Sequence, residues 1–164
     1  MKLTFGPRNV LQFDDARIVF RNFAGKVTDF NKNGDREFSI VIPNEEIADA
    51  LMNDKNQYGV GWNVKVRAPR EEGETPFMHL PVRVKFSGRT RIYVVSGKAR
   101  NLLREEDVHQ LDYMDISRVD LDIRPYDDEG RFGPFRKAYL NEMVVYQNVS
   151  RFEQRWAEEE CPEE

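Results

Sequence analysis

The chain has 164 residues, a length typical of one domain, with 40% apolar residues, 33% charged residues and a net charge of -4. No apolar run approaches the roughly 18 residues of a membrane span, and Met1 to Asp15 lacks the apolar stretch of a signal peptide. The single cysteine, Cys161, excludes an internal disulfide and a cysteine-based zinc scaffold. We therefore expect a soluble, cytoplasmic protein without membrane contact.

The first predicted elements are a hairpin and a helix. Alternation over 17–23 predicts a strand, with Phe20 on one face and Arg21 and Phe23 on the other. The turn sequence NKNGD (31–35) connects it to a second strand over 38–42. Asn44 is then a suitable N-cap for a short helix.

The middle of the chain predicts three more strands. Val64 and Val66 alternate with polar residues, and PREEGETP (69–76) has the composition of a loop. A long amphipathic strand follows over 78–86, where Pro81 indicates an edge or a bulge because it cannot donate to a ladder. The turn SGRT (87–90) leads into a strand over 91–96.

The last third predicts a helix over 105–113, a strand over 119–125, a loop over 127–134, a strand over about 138–149 and a short helix over 152–160. The sequence thus predicts about seven strands and two short helices, and two helices are too few for a parallel α/β sheet. The fold class is therefore mainly β (α+β), a small antiparallel OB-like barrel over residues 1–156.

Charge is strongly segregated along the sequence. Residues 1–58 have 8 basic and 9 acidic side chains, residues 59–104 have 10 and 3, and residues 105–164 have 7 and 17. A basic block of this kind indicates contact with a nucleic acid, although ordinary solvation of a sheet face would also produce it.

Cations and aromatic rings are interleaved in the basic block. Single-stranded nucleic acid needs cations for its phosphates and flat rings for its unpaired bases. Each aromatic residue alone would equally suit the core. The candidate nucleic-acid-binding residues are Arg21, Phe23, Trp62, Lys65, Arg67, Phe77, Arg83, Lys85, Arg89, Arg91, Tyr93, Lys98 and Arg100.

Other candidate sites are weaker. Asp120, Asp122 and Glu142 could hold a divalent cation for nuclease chemistry, but alternating acids are also typical of the wet face of a strand. His79 and His109 have no metal-ligand spacing. Phe132 and Phe135 lie in a predicted loop, either as a binding finger or packed back on the barrel.

The C-terminal segment AEEECPEE (157–164) has five glutamates in eight residues and is predicted to be a disordered acidic tail. Such a tail either aids solubility or competes with nucleic acid for the basic face.

The stretches ARIVFRNFAG, NKNGDREFSIVI, GWNVKVR, PVRVKFSGR, SGKARNL and VDLDIRPY occur in this order over residues 16–126. Together with the closing strand they resemble the OB-fold single-stranded-DNA-binding proteins encoded by bacteriophages. The resemblance covers roughly residues 16–149.

The resemblance implies a non-catalytic protein that coats single-stranded DNA during phage replication and recombination, without a cofactor or metal. The binding face would lie on the basic strands, with help from Arg21 and Phe23. The tail is similar to those that recruit replication or recombination proteins, but it lacks their phenylalanine-containing tip. Homo-oligomer formation is compatible with the sequence. A metal-dependent nuclease and a phage assembly protein are the alternatives.

Overall fold

The structure is a computed structural model that describes residues 1–149. Within these residues it contains ten strands, one α-helix (α1) and two 3₁₀ helices, Pro7–Asn9 and Glu105–Asp112. The other elements are β1 Lys2–Phe5, β2 Leu11–Ala16, β3 Ile18–Asn22, β4 Arg36–Ile42, α1 Glu45–Asn53, β5 Lys65–Arg67, β6 Phe77–Val84, β7 Arg91–Ser96, β8 Ala99–Leu103, β9 Ile116–Gly130 and β10 Gly133–Gln147. The predicted helix at 152–160 and the predicted tail at 157–164 lie outside the described residues.

The strands form one sheet in the order β1, β2, β9, β10, β6, β4, β3. β5 pairs with β6, and the β7–β8 hairpin joins the sheet through β10. β6 and β7 both run parallel to β10, β6 beside Tyr139 and β7 beside Glu142 to Gln147. Only Arg17 separates β2 from β3, so one bent segment supplies β2, next to the end strand β1, and β3 at the opposite end of the order.

The mainly-β, OB-like prediction is confirmed, although the ladders within residues 1–149 do not themselves close a barrel. The hairpin of β3 and β4 is present, and Gly34 of its connecting loop has a φ of +68°. Asn44 caps α1 as predicted, since its side chain accepts a 2.9 Å hydrogen bond from the Ile47 backbone N–H.

The prediction of a loop over 127–134 is wrong. β9 continues to Gly130 and β10 begins at Gly133, so the two strands form a long hairpin closed by Arg131 and Phe132. Gly133 takes a φ of +108°, a conformation that residues with a Cβ rarely adopt. The turn residues of this segment therefore mark only the tip of a hairpin.

Three strands were not predicted: β1, β2 and β8. Leu11 and Phe13 of β2 and Leu103 of β8 pack in or against the core, but these apolar positions are few and widely spaced. Short strands of this kind give little periodicity, and cross-strand partners far along the chain determine their state.

The core lies under the inward faces of the strands. Ile40 of β4, Leu80 and Val82 of β6, and Leu140 of β10 are at most 1% exposed. Pro81 points outward and pairs with Ser39 of β4. On the other side of β6, the pairing with β5 ends at His79, and the pairing with β10 is at Arg83. The proline therefore stands where the second ladder is interrupted, which agrees with the prediction from its missing N–H.

Candidate nucleic-acid interface

The outward residues of β6 are the centre of the candidate interface. His79, Pro81 and Arg83 are partly exposed, whereas Leu80 and Val82 between them are buried. Residues directly paired across strands place their side chains on the same face of a sheet. The partners on this face are Glu37 and Ser39 of β4, Lys65 and Arg67 of β5, and Tyr139 of β10.

A groove of about 480 Å³ runs over this face. Its walls combine aromatic rings with the cationic side chains Lys65, Arg83 and Lys137. Pro81 and Ser39 lie between them. The groove is open to solvent and brings together residues of five strands and of the two loops that contain Phe30 and Asn63. We call this surface the groove face.

Three aromatic rings cluster at one end of the groove face. Phe77 stacks on His79 with ring centroids 5.5 Å apart, and Phe20 meets both rings edge-on at 6.0 and 5.2 Å. Arg67 lies over the Phe20 ring, with its guanidinium carbon 5.7 Å from the centroid. An exposed ring next to a guanidinium provides a stacking surface and a phosphate partner side by side.

Phe20 reaches this face through a break in β3. The ladder between β3 and β4 shifts register between Val19 and Asn22, and Phe20 has a φ of +53°. A bulge of this kind re-aims a side chain. Phe20 is therefore 52% exposed, and the simple alternation predicted for residues 17–23 does not hold beyond Val19.

Two exposed phenylalanines lie at loop tips. Phe30, in the connection between β3 and β4, is 100% exposed and lines the groove, and Phe132, at the tip of the β9–β10 hairpin, is 98% exposed. Neither packs back on the core, so Phe132 is available as a binding finger, whereas Phe135 is partly buried against Tyr126.

A second aromatic group surrounds Tyr139 of β10. Lys85 and Arg124 place their charges 5.4 and 5.5 Å from the centroid of the Tyr139 ring, and Tyr126 meets this ring edge-on at 6.0 Å. Tyr139 itself is only 7% exposed. It holds the two cations together at the end of the groove face opposite the Phe20 cluster.

The four cations predicted on β5 and β6 lie on the groove face. Lys65 and Arg67 are exposed, and Lys85 follows directly after β6. Arg83 lies 3.7 Å from the carboxylate of Asp35 and keeps 39% of its side chain exposed. An exposed ion pair of this length is weak, so Arg83 stays available to another anion.

Arg89, Arg91, Tyr93, Lys98 and Arg100 belong to the β7–β8 hairpin and the turn that precedes it. Arg91 donates hydrogen bonds to the backbone carbonyls of Gly88 and Thr90. Arg100 lies over the Tyr93 ring at 4.4 Å. These residues are next to the groove face along β10 and not within the groove.

Three predicted residues are used elsewhere in the fold: Arg21 is half-buried, and Phe23 and Trp62 lie in the core. Arg21 donates to the backbone carbonyls of Leu111 and Met114, which ties β3 to the Glu105–Asp112 helix. Phe23 is fully buried and stacks on Phe38 at 5.1 Å. Since its backbone follows the bulge, Phe23 packs inward, and we leave both residues out of the interface.

Trp62 is also a core residue, 2% exposed. Its indole N–H donates to Asp54 at 2.9 Å, and Arg136 covers its ring at 4.9 Å. Arg136 in turn pairs with Asp127 at 2.7 Å, and its side chain is only 1% exposed. Burial alone would raise the pKa of Asp127, but hydrogen bonds from Arg136 and Asn56 lower it overall.

His79 has a shifted protonation equilibrium. Its pKa lies below the usual 6.5, first because of burial and then because Lys65 and Arg67 repel a further positive charge. Its Nδ1 contacts the Ser39 hydroxyl at 2.9 Å. The ring is therefore neutral and stacked with Phe77 at neutral pH.

The predicted acidic residues do not assemble a metal centre. Asp122 pairs with Glu142 and Asp120 with Val144 on the outer face of β9 and β10. The pKa of Asp122 is raised by burial and by its neighbours Glu142 and Asp14. Within residues 1–149, no three His, Cys, Asp or Glu side chains come together as a metal-binding group. The nuclease alternative thus has no geometric support.

The groove face includes residues that the sequence did not single out. Phe20 depends on the bulge in β3. The sequence draws attention to His79 only as a histidine without metal-ligand spacing, and Tyr139 falls within the strand predicted over about 138–149 without being distinguished. Lys137 and Arg124 fall in the acidic third of the chain, where net charge concealed them. Their pairing with β6 through Tyr139 is a long-range contact that local periodicity cannot predict.

Comparison with known proteins identifies a family. Residues 3–163 match the family model described as "Putative phage ssDNA-binding domain". A search of curated proteins found no match. Among the helices of residues 1–149, none has the length and apolar character to cross a bilayer.

The structure is similar to solved structures of a single-stranded DNA-binding protein from bacteriophage Enc34. The complex with ssDNA has a TM-score of 0.56 and 14% identity over 92% of this chain and 93% of that chain. A second structure of that protein has a TM-score of 0.53 and 15% identity over 93% of both chains. A C-terminal truncation has a TM-score of 0.53 and 12% identity over 90% of this chain and 91% of that chain. At this identity the likeness concerns the fold, and the family model, which spans nearly the whole sequence, shows that the chain belongs to the phage ssDNA-binding domain family.

Proposed function

We propose that this protein binds single-stranded DNA without sequence preference across the groove face. The observation that carries the proposal is the continuous arrangement of Phe20, Phe77 and His79 beside the cations of β5, β6 and β10. Rings stack on any base, and cations neutralise any phosphate, so neither contact reads sequence. Membership of a phage ssDNA-binding family supports the same proposal.

We infer further that the protein acts as a strand-coating factor in phage DNA replication and recombination, in the cytoplasm of the host, and carries out no chemistry on the DNA. Unpaired bases are needed for stacking, because the ring faces of a duplex are already occupied by neighbouring bases. The groove face therefore favours single strands over duplex.

The test is a double substitution in the groove face, Arg83→Gln with Lys85→Gln, compared with the exposed pair Lys2→Gln and Lys55→Gln, which changes the charge equally elsewhere. Binding to oligo-dT and to duplex is followed by fluorescence anisotropy over a salt series. We expect the groove variant to bind oligo-dT more weakly. The slope of log affinity against log salt concentration should be less steep by about 1.4, since each of the two lost phosphate contacts contributes about 0.7.

The control pair should bind oligo-dT as the unchanged protein does, and duplex should bind more weakly throughout. Equal affinity of the groove variant and the unchanged protein for oligo-dT would rule out the groove face. A labelled oligonucleotide that is cut in the presence of Mg²⁺ would contradict the non-enzymatic function.

A further inference from the structure

The β7–β8 hairpin continues the groove face along β10. Tyr139 of β10 pairs with Arg83 of β6, and beyond the bulge at Asn141 the next outward residues, Glu142 and Val144, pair with Arg91 and Tyr93 of β7. At about 3.3 Å per residue, Tyr93 therefore lies about 15 Å further along β10 than Arg83. No other strand of residues 1–149 intervenes on this side of β10.

The hairpin presents a ring and cations of its own. Tyr93 and Val95 alternate with the buried Ile92 and Val94, so they face outward. Arg100 of β8, paired with Val95, crosses over the Tyr93 ring at 4.4 Å. The arrangement of Arg67 over Phe20 in the groove thus has a counterpart on the hairpin.

Charge on this segment is of one sign. Between residues 85 and 104 there are six Lys or Arg and no Asp or Glu. Across β10 from the hairpin, β9 places Asp122 beside Glu142, and Asp14 is close enough to raise the pKa of Asp122 further, after burial and Glu142. Glu142 lies on β10 itself and is also paired with Arg91 of the hairpin. A polyanion leaving the groove would be repelled by the β9 side and attracted toward β7 and β8.

We infer that the β7–β8 hairpin is a second ssDNA subsite, which takes the strand after it leaves the groove face. The occupant is a polynucleotide because the surface offers cations and one stackable ring without acidic residues in the segment. The inference rests on the proposed function and adds a dependence of affinity on oligonucleotide length. The hairpin contributes only to the binding of strands long enough to reach it. Arg89 lies nearer the groove than Lys98, so longer strands engage them in that order.

The test is a series of oligo-dT lengths from about 4 to about 20 nucleotides, titrated against the full chain. The hairpin variant is Lys98→Ala with Arg100→Ala, and the matched control is Lys2→Ala with Lys55→Ala, which removes two exposed charges elsewhere. We expect the hairpin variant to bind the shortest oligonucleotides normally and the longest about tenfold more weakly, with a salt slope lower by about 1.4 for the long strands only.

A loss of affinity equal at every length, no loss at any length, or an equal loss in the control pair would overturn the inference. If the unchanged protein bound no oligonucleotide, the proposed function itself would fail, an outcome distinct from these three. Since Arg100 packs on Tyr93, a second variant in the turns, Arg89→Ala with Lys98→Ala, keeps the test valid if the first does not fold. This second variant is compared with the single variant Lys98→Ala. The loss of affinity should begin at a shorter oligonucleotide length when Arg89 is also replaced, and a loss that begins at the same length in both variants would contradict the order along β10.

Discussion

His79 connects the chemistry of the groove face to pH. In the free protein its pKa is lowered, by burial first and then by Lys65 and Arg67. A bound phosphate backbone neutralises those cations and favours the protonated ring, so binding takes up a proton at and below about pH 6.5. Affinity for ssDNA should therefore increase as the pH falls through this window.

The measurement is the dissociation constant for oligo-dT at about pH 8 and about pH 5.5. We expect His79→Gln to remove most of the pH dependence, whereas His109→Gln, an exposed histidine on the Glu105–Asp112 helix, retains it. A pH dependence that survives in His79→Gln would refute this role. In the absence of DNA the unfolded chain binds more protons at His79, so the free energy of unfolding falls as the pH drops through the same window.

Residues near the groove differ in how far the sequence could predict them. Lys65, Arg67, Arg83 and Lys85 follow from strict alternation on β5 and β6, since period two places every second side chain on one face. Phe20 does not, because a single bulge reverses its direction. Trp62 and Phe23 show the same limit, because an aromatic residue close to basic residues in the sequence fits the core as well as the interface.

The β9–β10 hairpin shows how an element can depend on one buried cation. Arg136 on β10 binds Asp127 of β9, donates to the backbone carbonyl of Asp54 and covers Trp62, all at 1% side-chain exposure. This network fixes the hairpin close to its tip, which carries Phe132. The sequence predicted a loop here because Gly, Pro and acidic residues concentrate at the tip. The strands continue through this segment by local pairing across the turn, and Arg136 and Asp127 are held there by Asp54 and Asn56, which are distant in the sequence.

Arg136→Ala should lower the free energy of unfolding by about 3 kcal/mol or more, because Asp127 would be left partly buried without its partner. The neighbouring Lys137→Ala removes an outward charge and should change stability by less than about 0.5 kcal/mol. Urea denaturation of the three proteins measures both values. Similar stability of the two variants would mean that the buried ion pair is dispensable.

At the scale of the whole molecule, the fold collects cations on one surface of an acidic protein, including cations from its acidic third. The protein as a whole is acidic, with a net charge of -4, yet the groove face and the hairpin gather cations from β5, β6, β7, β8, β9 and β10. The general fold class followed from periodicity and from family likeness. The joining of β6 and β7 to β10 required the structure, because both pairings are parallel and far apart along the chain.

The central claim is that bases stack on the rings of the groove face. Oligo-dT in which single thymidines are replaced by 5-iododeoxyuridine can be crosslinked by light to the protein and the modified peptides identified by mass spectrometry. We expect crosslinks at Phe20, Phe77 or His79, and for longer strands also at Tyr93. Crosslinks confined to exposed rings away from this face, such as Phe5, Tyr58 and Tyr113, would contradict the account.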